Sequence, residues 1–324
     1  MTSLAPPSVF ALLLSGAFNS ALAFSDPVIS YLSKSKGDFD TIVDVRPLEL
    51  CKAGTLDGVR CIPVEDLMAP SRRLANISGL LWLLGSAGLS GDEHVLVVGD
   101  ENNRRDFVAG VLYIAGQRRI SVLNARVTGS EVYQIKPGIP RNKIREQVYR
   151  TPMRSDRVVL RGELKGMINH ERAPILLDGR SESEYWGVRV RGVRGGHLPG
   201  AQHLTSVSLQ PGRLSPMDFS PQSGDPIVYG HDTFDGLTYL ARLVASGIEV
   251  RLYLEGWVGW AADGSLPMDS ASYPQYGFRG DNRAVEPTEY SNHGISIPAV
   301  VATGGGFALA GFWVGRLTKN RVSG

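Results

Sequence analysis

An internal repeat constrains the fold of this chain more than any other sequence feature. The stretch TIVDVRPLEL (41–50) resembles PILLDGRSES (174–183), because each is an apolar strand that ends in Asp-x-Arg. Asp178 follows Asp44 by 134 positions. Two further pairs of glycines recur at an offset of 131 positions: Gly99 with Gly230, and Gly116 with Gly247. A near-constant offset across three elements indicates two copies of one structural unit.

Each copy alternates apolar strands with helical stretches, which predicts an α/β fold of parallel sheets covered by helices on both faces. A length of 324 residues suits two such domains. A net charge of +2 and short, scattered arginine pairs argue against a nucleic-acid partner. The predicted organisation is a domain at 27–135, a linker at 136–152, a second domain at 153–270 and a juxtamembrane linker at 271–294.

Three stretches of the second half carry a family resemblance: LLDGRSESEYWG (176–187), GGHLPGAQHL (195–204) and YLEGWVGWAADGSLP (253–267). They resemble the rhodanese (thiosulfate sulfurtransferase) family. The first half resembles a more diverged copy, through IVDVRPLEL (42–50) and AGTLDGVRCIP (53–63). The resemblance covers about residues 27–270 and implies tandem rhodanese-like domains, as in the two-domain sulfurtransferases.

The resemblance also implies where a catalytic cysteine would stand. In that family the cysteine follows a strand directly, at the N-terminus of a helix, where backbone N–H groups lower its pKa. The equivalent position is Gly230 in the second half and Gly99 or Asp100 in the first. A basic or hydroxyl side chain usually follows about five residues later, and here Asp235 stands in its place. We therefore expect a degenerate family member that is not an enzyme and needs no cofactor.

The two cysteines, Cys51 and Cys61, fall away from these loops. Outside the cytoplasm, two cysteines ten positions apart suit a disulfide; two free buried thiols are the alternative. No metal-ligand spacing is present among the six histidines. His231 and Asp232 could form a metal or general-base pair, but only with a third ligand.

Both ends of the chain suggest a membrane. Residues 1–23 form a signal peptide with a cleavage site after Ala23, or a short uncleaved anchor, although the segment before the apolar run has no lysine or arginine. The 21 residues from Ile295 to Gly315 carry no charge, and as a helix they would be about 31 Å long, enough to span the hydrocarbon core. Basic residues dominate the tail 316–324, so the positive-inside rule places the tail in the cytoplasm and residues 24–294 outside it, in the periplasm or another extracytoplasmic space.

The predicted span contains small residues that suit close contact with another helix. One small-residue face consists of Ala302, Gly306 and Ala310, and a second consists of Gly311 and Gly315. We expect this helix to bind an integral membrane protein within the lipid bilayer. A second candidate contact is the insertion GVRVRGVRGG (187–196), which predicts an edge strand or hairpin that presents Arg189, Arg191 and Arg194 to lipid headgroups or an acidic partner, or merely to solvent.

The remaining sequence-predicted positions suit structural roles. Asp44 with Arg46, and Asp178 with Arg180, suit ion pairs within each domain, and His197 suits a loop histidine bonded to backbone. Three functions remain open. The first is a non-catalytic, membrane-anchored accessory or docking subunit of a membrane complex; the membrane location alone suggests a respiratory or photosynthetic complex. The second is a sulfurtransferase with a non-standard site, and the third is a protein that binds a small sulfur compound in the empty loop.

Overall fold

The computed structural model describes residues 27–35, 37–69, 72–128, 135–168, 173–211 and 224–270. All of them belong to one compact unit, Met1–Arg279. The predicted signal segment 1–23 and the whole of 271–324, including the predicted span at 295–315, lie outside the described residues. Among the residues that are described, no helix has the length and apolar character needed to cross a membrane.

Six parallel strands form the first sheet, in the order β1-β5-β4-β2-β3-β6. The strands are β1 Ile29–Leu32, β2 Thr41–Asp44, β3 Arg60–Cys61, β4 His94–Val98, β5 Arg119–Leu123 and β6 Ile139–Pro140. The helices of this half are α1 Leu48–Ala53, α2 Val64–Leu67, α3 Ile77–Ser86 and α4 Asn102–Ala115. β6 lies inside the stretch predicted as a linker, so part of 136–152 pairs with the first sheet through β3.

The second sheet has five parallel strands in the order β7-β11-β10-β8-β9. The strands are β7 Val158–Val159, β8 Leu176–Asp178, β9 Gln202–His203, β10 Ile227–Tyr229 and β11 Arg251–Tyr253. The helices are α5 Arg161–Ile168, α6 Glu182–Tyr185, α7 Thr233–Ala245 and α8 Gly256–Ala261. Apart from β6, the strand order of the first sheet is repeated here, and the predicted α/β fold with parallel sheets is confirmed.

The strand sequences explain why the sheets are buried on both faces. Val95, Leu96, Val97 and Val98 of β4 are all fully buried, as are the central residues of β10. Strands with apolar residues on both faces need helices above and below them, as a parallel sheet provides. One large cluster of buried side chains extends through both halves, so the halves share a core.

Helices α4 and α7 form the main contact between the halves. Gly110 of α4 lies directly against the backbone carbonyl of Leu237 in α7, leaving no room for a side chain. Beside this contact, Nε of Arg242 donates to Oδ2 of Asp106 at 2.8 Å, and the hydroxyl of Tyr31 donates to Oδ1 of Asp106 at 2.9 Å. Burial raises the pKa of Asp106, although Arg242 opposes this shift. The two halves are therefore joined by a close helix contact and a buried ion pair.

Cys51 and Cys61 are paired in a disulfide that joins α1 to β3. Both side chains are fully buried, and a Cβ added to Gly138 would lie 2.5 Å from Sγ of Cys51. The disulfide therefore fixes the segment between β2 and β3. Gly138, which has no side chain, lets the chain that leads into β6 pass directly beside the disulfide.

The α4–α7 contact predicts that Gly110→Ala destabilises the protein. The added methyl group would meet the Leu237 carbonyl, and such overpacking costs about 1–3 kcal/mol. We expect a lower thermal unfolding midpoint for the full-length variant in detergent. Gly162→Ala is the matched control, because nothing lies within 4 Å of a Cβ at that helical position. Equal midpoints for both variants would show that α4 and α7 are not closely packed.

Candidate functional site

The candidate site is the second-half loop, residues 230–236, which comprises the turn after β10 and the first turn of α7. Tyr229 ends the strand, and α7 begins at Thr233. Helix α8 holds the backbone of this loop, because Trp257 N donates to Gly230 O at 3.0 Å and Val258 N donates to His231 O at 2.8 Å. The loop is thus a fixed strand-to-helix turn at the carboxyl edge of the second sheet.

Gly230 occupies a position without space for a side chain. A Cβ built there would lie 2.5 Å from the backbone nitrogen of Gly236 and 2.7 Å from Cβ of Asp235. Real Cβ atoms essentially never make contacts this short, so the first turn of α7 would have to move to admit a larger residue. The loop in this conformation therefore fits glycine and excludes cysteine.

The N-terminus of α7 is capped by the carboxylate of Asp232. Its Oδ1 accepts a hydrogen bond from Asp235 N at 3.0 Å, and its Oδ2 accepts one from Nε of Arg72 at 2.7 Å. Burial alone would raise the pKa of Asp232, but the bonds from Arg72 and from the Asp235 amide outweigh it and lower that pKa. A negative group at a helix N-terminus is favourable, and here the protein supplies that group itself.

Asp235 places a second carboxylate beside the first. Its Oδ2 accepts from Nη1 of Arg191 at 3.2 Å, and the same nitrogen donates to Oε1 of Glu184 at 3.1 Å. Burial, followed by the charge of Asp232, raises the pKa of Asp235 despite Arg191. The loop is thus electronegative, and two arginines partly compensate its charge.

His231 is buried at the mouth of the loop. Its Nδ1 has no hydrogen-bond partner among the described residues and lies 4.0 Å from Oε1 of Glu184. Burial, with a further contribution from Arg191, lowers the pKa of His231. Across the described part of the chain, no three His, Cys, Asp or Glu side chains are grouped so that they could hold a metal ion.

The two Asp-x-Arg motifs form nearly identical ion pairs, as predicted. The salt bridge is 2.6 Å long both in Asp44–Arg46 and in Asp178–Arg180. Nη2 of Arg46 donates to Gly54 O at 2.6 Å, and Nη2 of Arg180 donates to Gly196 O at 2.7 Å. Each pair therefore ties the end of a central strand to the loop that follows, which is a structural role.

The first-half loop, residues 99–105, is arranged differently. Asp100 does not cap α4. Its Oδ1 instead accepts from the backbone nitrogens of Val127 and Thr128, each at 2.9 Å, and its Oδ2 lies 3.5 Å from Nη1 of Arg46. The guanidinium of Arg105 turns back and donates to Gly99 O at 2.7 Å. This loop contains no cysteine.

The insertion 187–196 contains no strand, so the prediction of an edge strand or hairpin is wrong. Arg191 turns inward to Glu184 and Asp235. Arg194 donates to four backbone carbonyls, those of Trp260, Ala261, Asp263 and Leu266. Of the three arginines predicted to contact a partner, only Arg189 is exposed without a bonded partner for its side chain among the described residues. The other predicted contact residues, Ala302, Gly306, Ala310 and Gly311, lie outside those residues.

Sequence reasoning missed two residues of the site. Arg72 comes from the first half and reaches Asp232 across 160 positions, which no local pattern predicts. Glu184 belongs to a capping box with Ser181 at the start of α6. The spacing Ser-x-x-Glu could have indicated that helix start, although not the contact with Arg191.

Comparison with known proteins identifies the class of domain. Residues 160–263 match the model of the rhodanese-like domain. Among solved structures, a probable thiosulfate sulfurtransferase is 26% identical with a TM-score of 0.55, and the alignment covers 72% of this chain and 99% of that one. The chain therefore contains a rhodanese-like domain and matches a sulfurtransferase over both halves.

More distant structures show the fold alone. An anaerobic ergothioneine biosynthesis enzyme from Chlorobium limicola, solved with trimethyl histidine, is 18% identical with a TM-score of 0.56, over 73% of this chain and 66% of that one. The wild-type structure of EanB gives the same identity and TM-score, over 73% and 65%. No curated protein matches the sequence.

The opposite pKa shifts of the two loop carboxylates predict opposite effects of amide substitution. Asp232→Asn should lower stability at pH 7 by about 1 kcal/mol, since an ionised group at a helix N-terminus is lost. Its folded-state pKa is lowered, so this stability is present above the unfolded pKa near 4 and is lost as the pH falls through the folded value.

Asp235→Asn should instead raise the unfolding midpoint at pH 7. The folded-state pKa of Asp235 is raised, so its native state loses stability as the pH rises from the unfolded pKa through the folded one. Thermal unfolding of both variants at pH 7 and pH 3 checks the pair, because both differences from the parent should shrink at pH 3. Shifts of the same sign at pH 7 would contradict the assigned environments.

Proposed function

We propose that this protein is a non-catalytic, membrane-anchored rhodanese-like protein that serves as an accessory or docking subunit of a membrane complex. The observation that carries the proposal is Gly230, which stands where the family resemblance requires the sulfur-carrying cysteine. The close contact of Gly230 with the first turn of α7 supports it further, because the loop has no space for that cysteine.

The chemistry of the loop supports the same conclusion. Asp232 already satisfies the N-terminus of α7, where an anionic sulfur donor would bind, and Asp235 adds a second negative charge. Like charges repel strongly in a partly buried site. Thiosulfate and a cysteine persulfide are both anionic, so this loop disfavours both.

The chain has no other thiol that could replace the missing nucleophile. Its only two cysteines, Cys51 and Cys61, are bonded to each other and fully buried. Thiolate is the reactive form in sulfur transfer, and a disulfide provides none. Membrane anchoring is supported by the charge-free run 295–315 and by the basic tail after it.

We predict that the full-length protein in detergent does not form thiocyanate from thiosulfate and cyanide. The physical reason is the absence of a cysteine at position 230. An active thiosulfate sulfurtransferase in the same detergent serves as the positive control. Turnover of about 1 per second or more, an ordinary enzymatic rate, would refute the proposal and favour a non-standard catalytic site.

Grafted variants test whether the loop is correctly identified. Gly230→Cys combined with Asp232→Ser and Asp235→Arg removes the cap and reverses the charge. The first turn of α7 must still move to admit the cysteine, so we expect slow loading of a sulfur atom from thiosulfate, with release of sulfite, measured by mass spectrometry. Gly230→Cys alone is the matched control. It should load more slowly, because the nearby carboxylates raise the pKa of the thiol. Equal loading of the two variants would show that the carboxylates do not govern the site.

A separate experiment tests the docking role. Replacing Ala302, Gly306 and Ala310 with leucine keeps the span apolar but removes its small-residue face. We expect membrane insertion to survive and co-purification of a membrane partner to fall. Val301→Leu with Ala308→Leu is the control, since it enlarges other positions of the same run. Undiminished co-purification would show that the helix is only a tether.

A further inference from the structure

The loop formed by residues 187–196, here called the valine loop, exposes its apolar side chains. The exposed fraction is 76% for Val188, 52% for Val190 and 78% for Val193. Val188 and Val193 are among the most exposed large apolar residues in the described part of the chain. Such protruding valines are unfavourable in water, since buried apolar area is what stabilises a folded chain.

The arginines of the valine loop explain why the valines point outward. Arg194 is fixed by four backbone carbonyls around α8, and Arg191 is fixed by Glu184 and Asp235. These two charged side chains therefore point toward the protein. Arg189 remains outward between two of the valines. This polarity is the reverse of an ordinary water-exposed loop, where arginines face solvent and valines face the core.

The base of the valine loop is narrow and well defined. A Cβ added to Gly195 would lie 2.9 Å from Cα of Gly187, so the two ends of the loop are in contact. Gly187 and Gly196 also have φ angles of 75° and 102°, which favour glycine. The apolar side chains are thus presented by a loop fixed at its base and at two arginines.

The chain leaves the described structure beside this base. Asp269 and His197 exchange two backbone hydrogen bonds, of 2.8 and 3.0 Å, and Oγ of Ser270 donates to Trp186 O at 3.3 Å. Residues 271–324 follow from this point, and the charge-free run at 295–315 begins only 25 positions after Ser270. The linker 271–294 can extend over about 80 Å, so the valine loop lies within reach of a bilayer that holds this run.

We propose that the valine loop binds the surface of the lipid bilayer. The side chains of Val188, Val190 and Val193 lie at the boundary between headgroups and acyl chains, and Arg189 lies at the lipid phosphate groups. This inference rests on the proposed membrane anchoring. Apolar side chains enter the boundary between headgroups and acyl chains, and a cationic side chain near them is attracted to anionic lipid. A soluble acidic protein would also attract Arg189, but the three exposed valines beside it, and a charge-free run within reach, favour lipid.

Site-specific fluorescence in nanodiscs tests the proposal on the full chain. The two native cysteines are bonded to each other, so Val190→Cys provides a single thiol for an environment-sensitive dye. The discs contain phosphatidylcholine and phosphatidylglycerol, with or without bromine on the acyl chains. We expect a blue-shifted emission and roughly twofold quenching by brominated lipid, because the dye would lie at the acyl boundary.

Leu160→Cys is the matched control, because Leu160 is 65% exposed and follows β7 at the opposite edge of the second sheet. Its dye should not be quenched. Val188→Asp with Val193→Asp should remove quenching of the dye at position 190 while the chain stays on the disc. If the chain stays on the disc and the dye at position 190 is not quenched, the valine loop does not bind lipid, although anchoring stands. Failure of the chain to stay on the disc overturns both the membrane anchoring and the binding of the valine loop to lipid.

Discussion

The close contact between α4 and α7 fixes the relation between the two halves of this molecule. Gly110 permits the contact, and the buried pair of Asp106 with Arg242 accompanies it. Both helices begin at the carboxyl edge of their sheets, directly after the two loops that the family resemblance identifies as equivalent. Packing the helices against each other therefore brings the two loops to one interface. Arg72, from the segment between α2 and α3 of the first half, reaches Asp232 of the second.

The two equivalent loops use carboxylates in different ways. Asp232 turns toward the helix that follows it and caps α7, whereas Asp100 turns away from α4 toward the amides of Val127 and Thr128. Backbone N–H groups at a helix N-terminus attract an anion, and in the second half the carboxylate of Asp232 already accepts from one of them, the amide of Asp235. The same strand-to-helix turn thus holds its carboxylate in two different ways, and neither loop contains a cysteine.

The repeat predicted two copies of one unit, in which Asp44 and Asp178 end equivalent strands, and the alternation of strands with helical stretches predicted the parallel sheets. The Asp-x-Arg ion pairs were also predictable, since their partners are two residues apart. Arg72 was not, because its contact with Asp232 depends on how the halves pack. The alternation of valine and arginine at 188–194 misled the prediction of a strand, since the arginines bind backbone carbonyls and carboxylates instead of forming one face of a sheet.

The position of Arg191 connects the candidate site to the valine loop. Asp235 is half-buried, and its pKa is raised by burial and by the charge of Asp232, whereas Arg191 opposes this shift. The same guanidinium fixes the middle of the valine loop, between Val190 and Val193. Under the proposed function, the negative charge of Asp235 therefore has a structural role in place of a role in thiosulfate binding. Under that proposal the charge would disfavour an anionic substrate and, through Arg191, would hold the apolar side chains of the loop in an orientation in which they can meet a membrane.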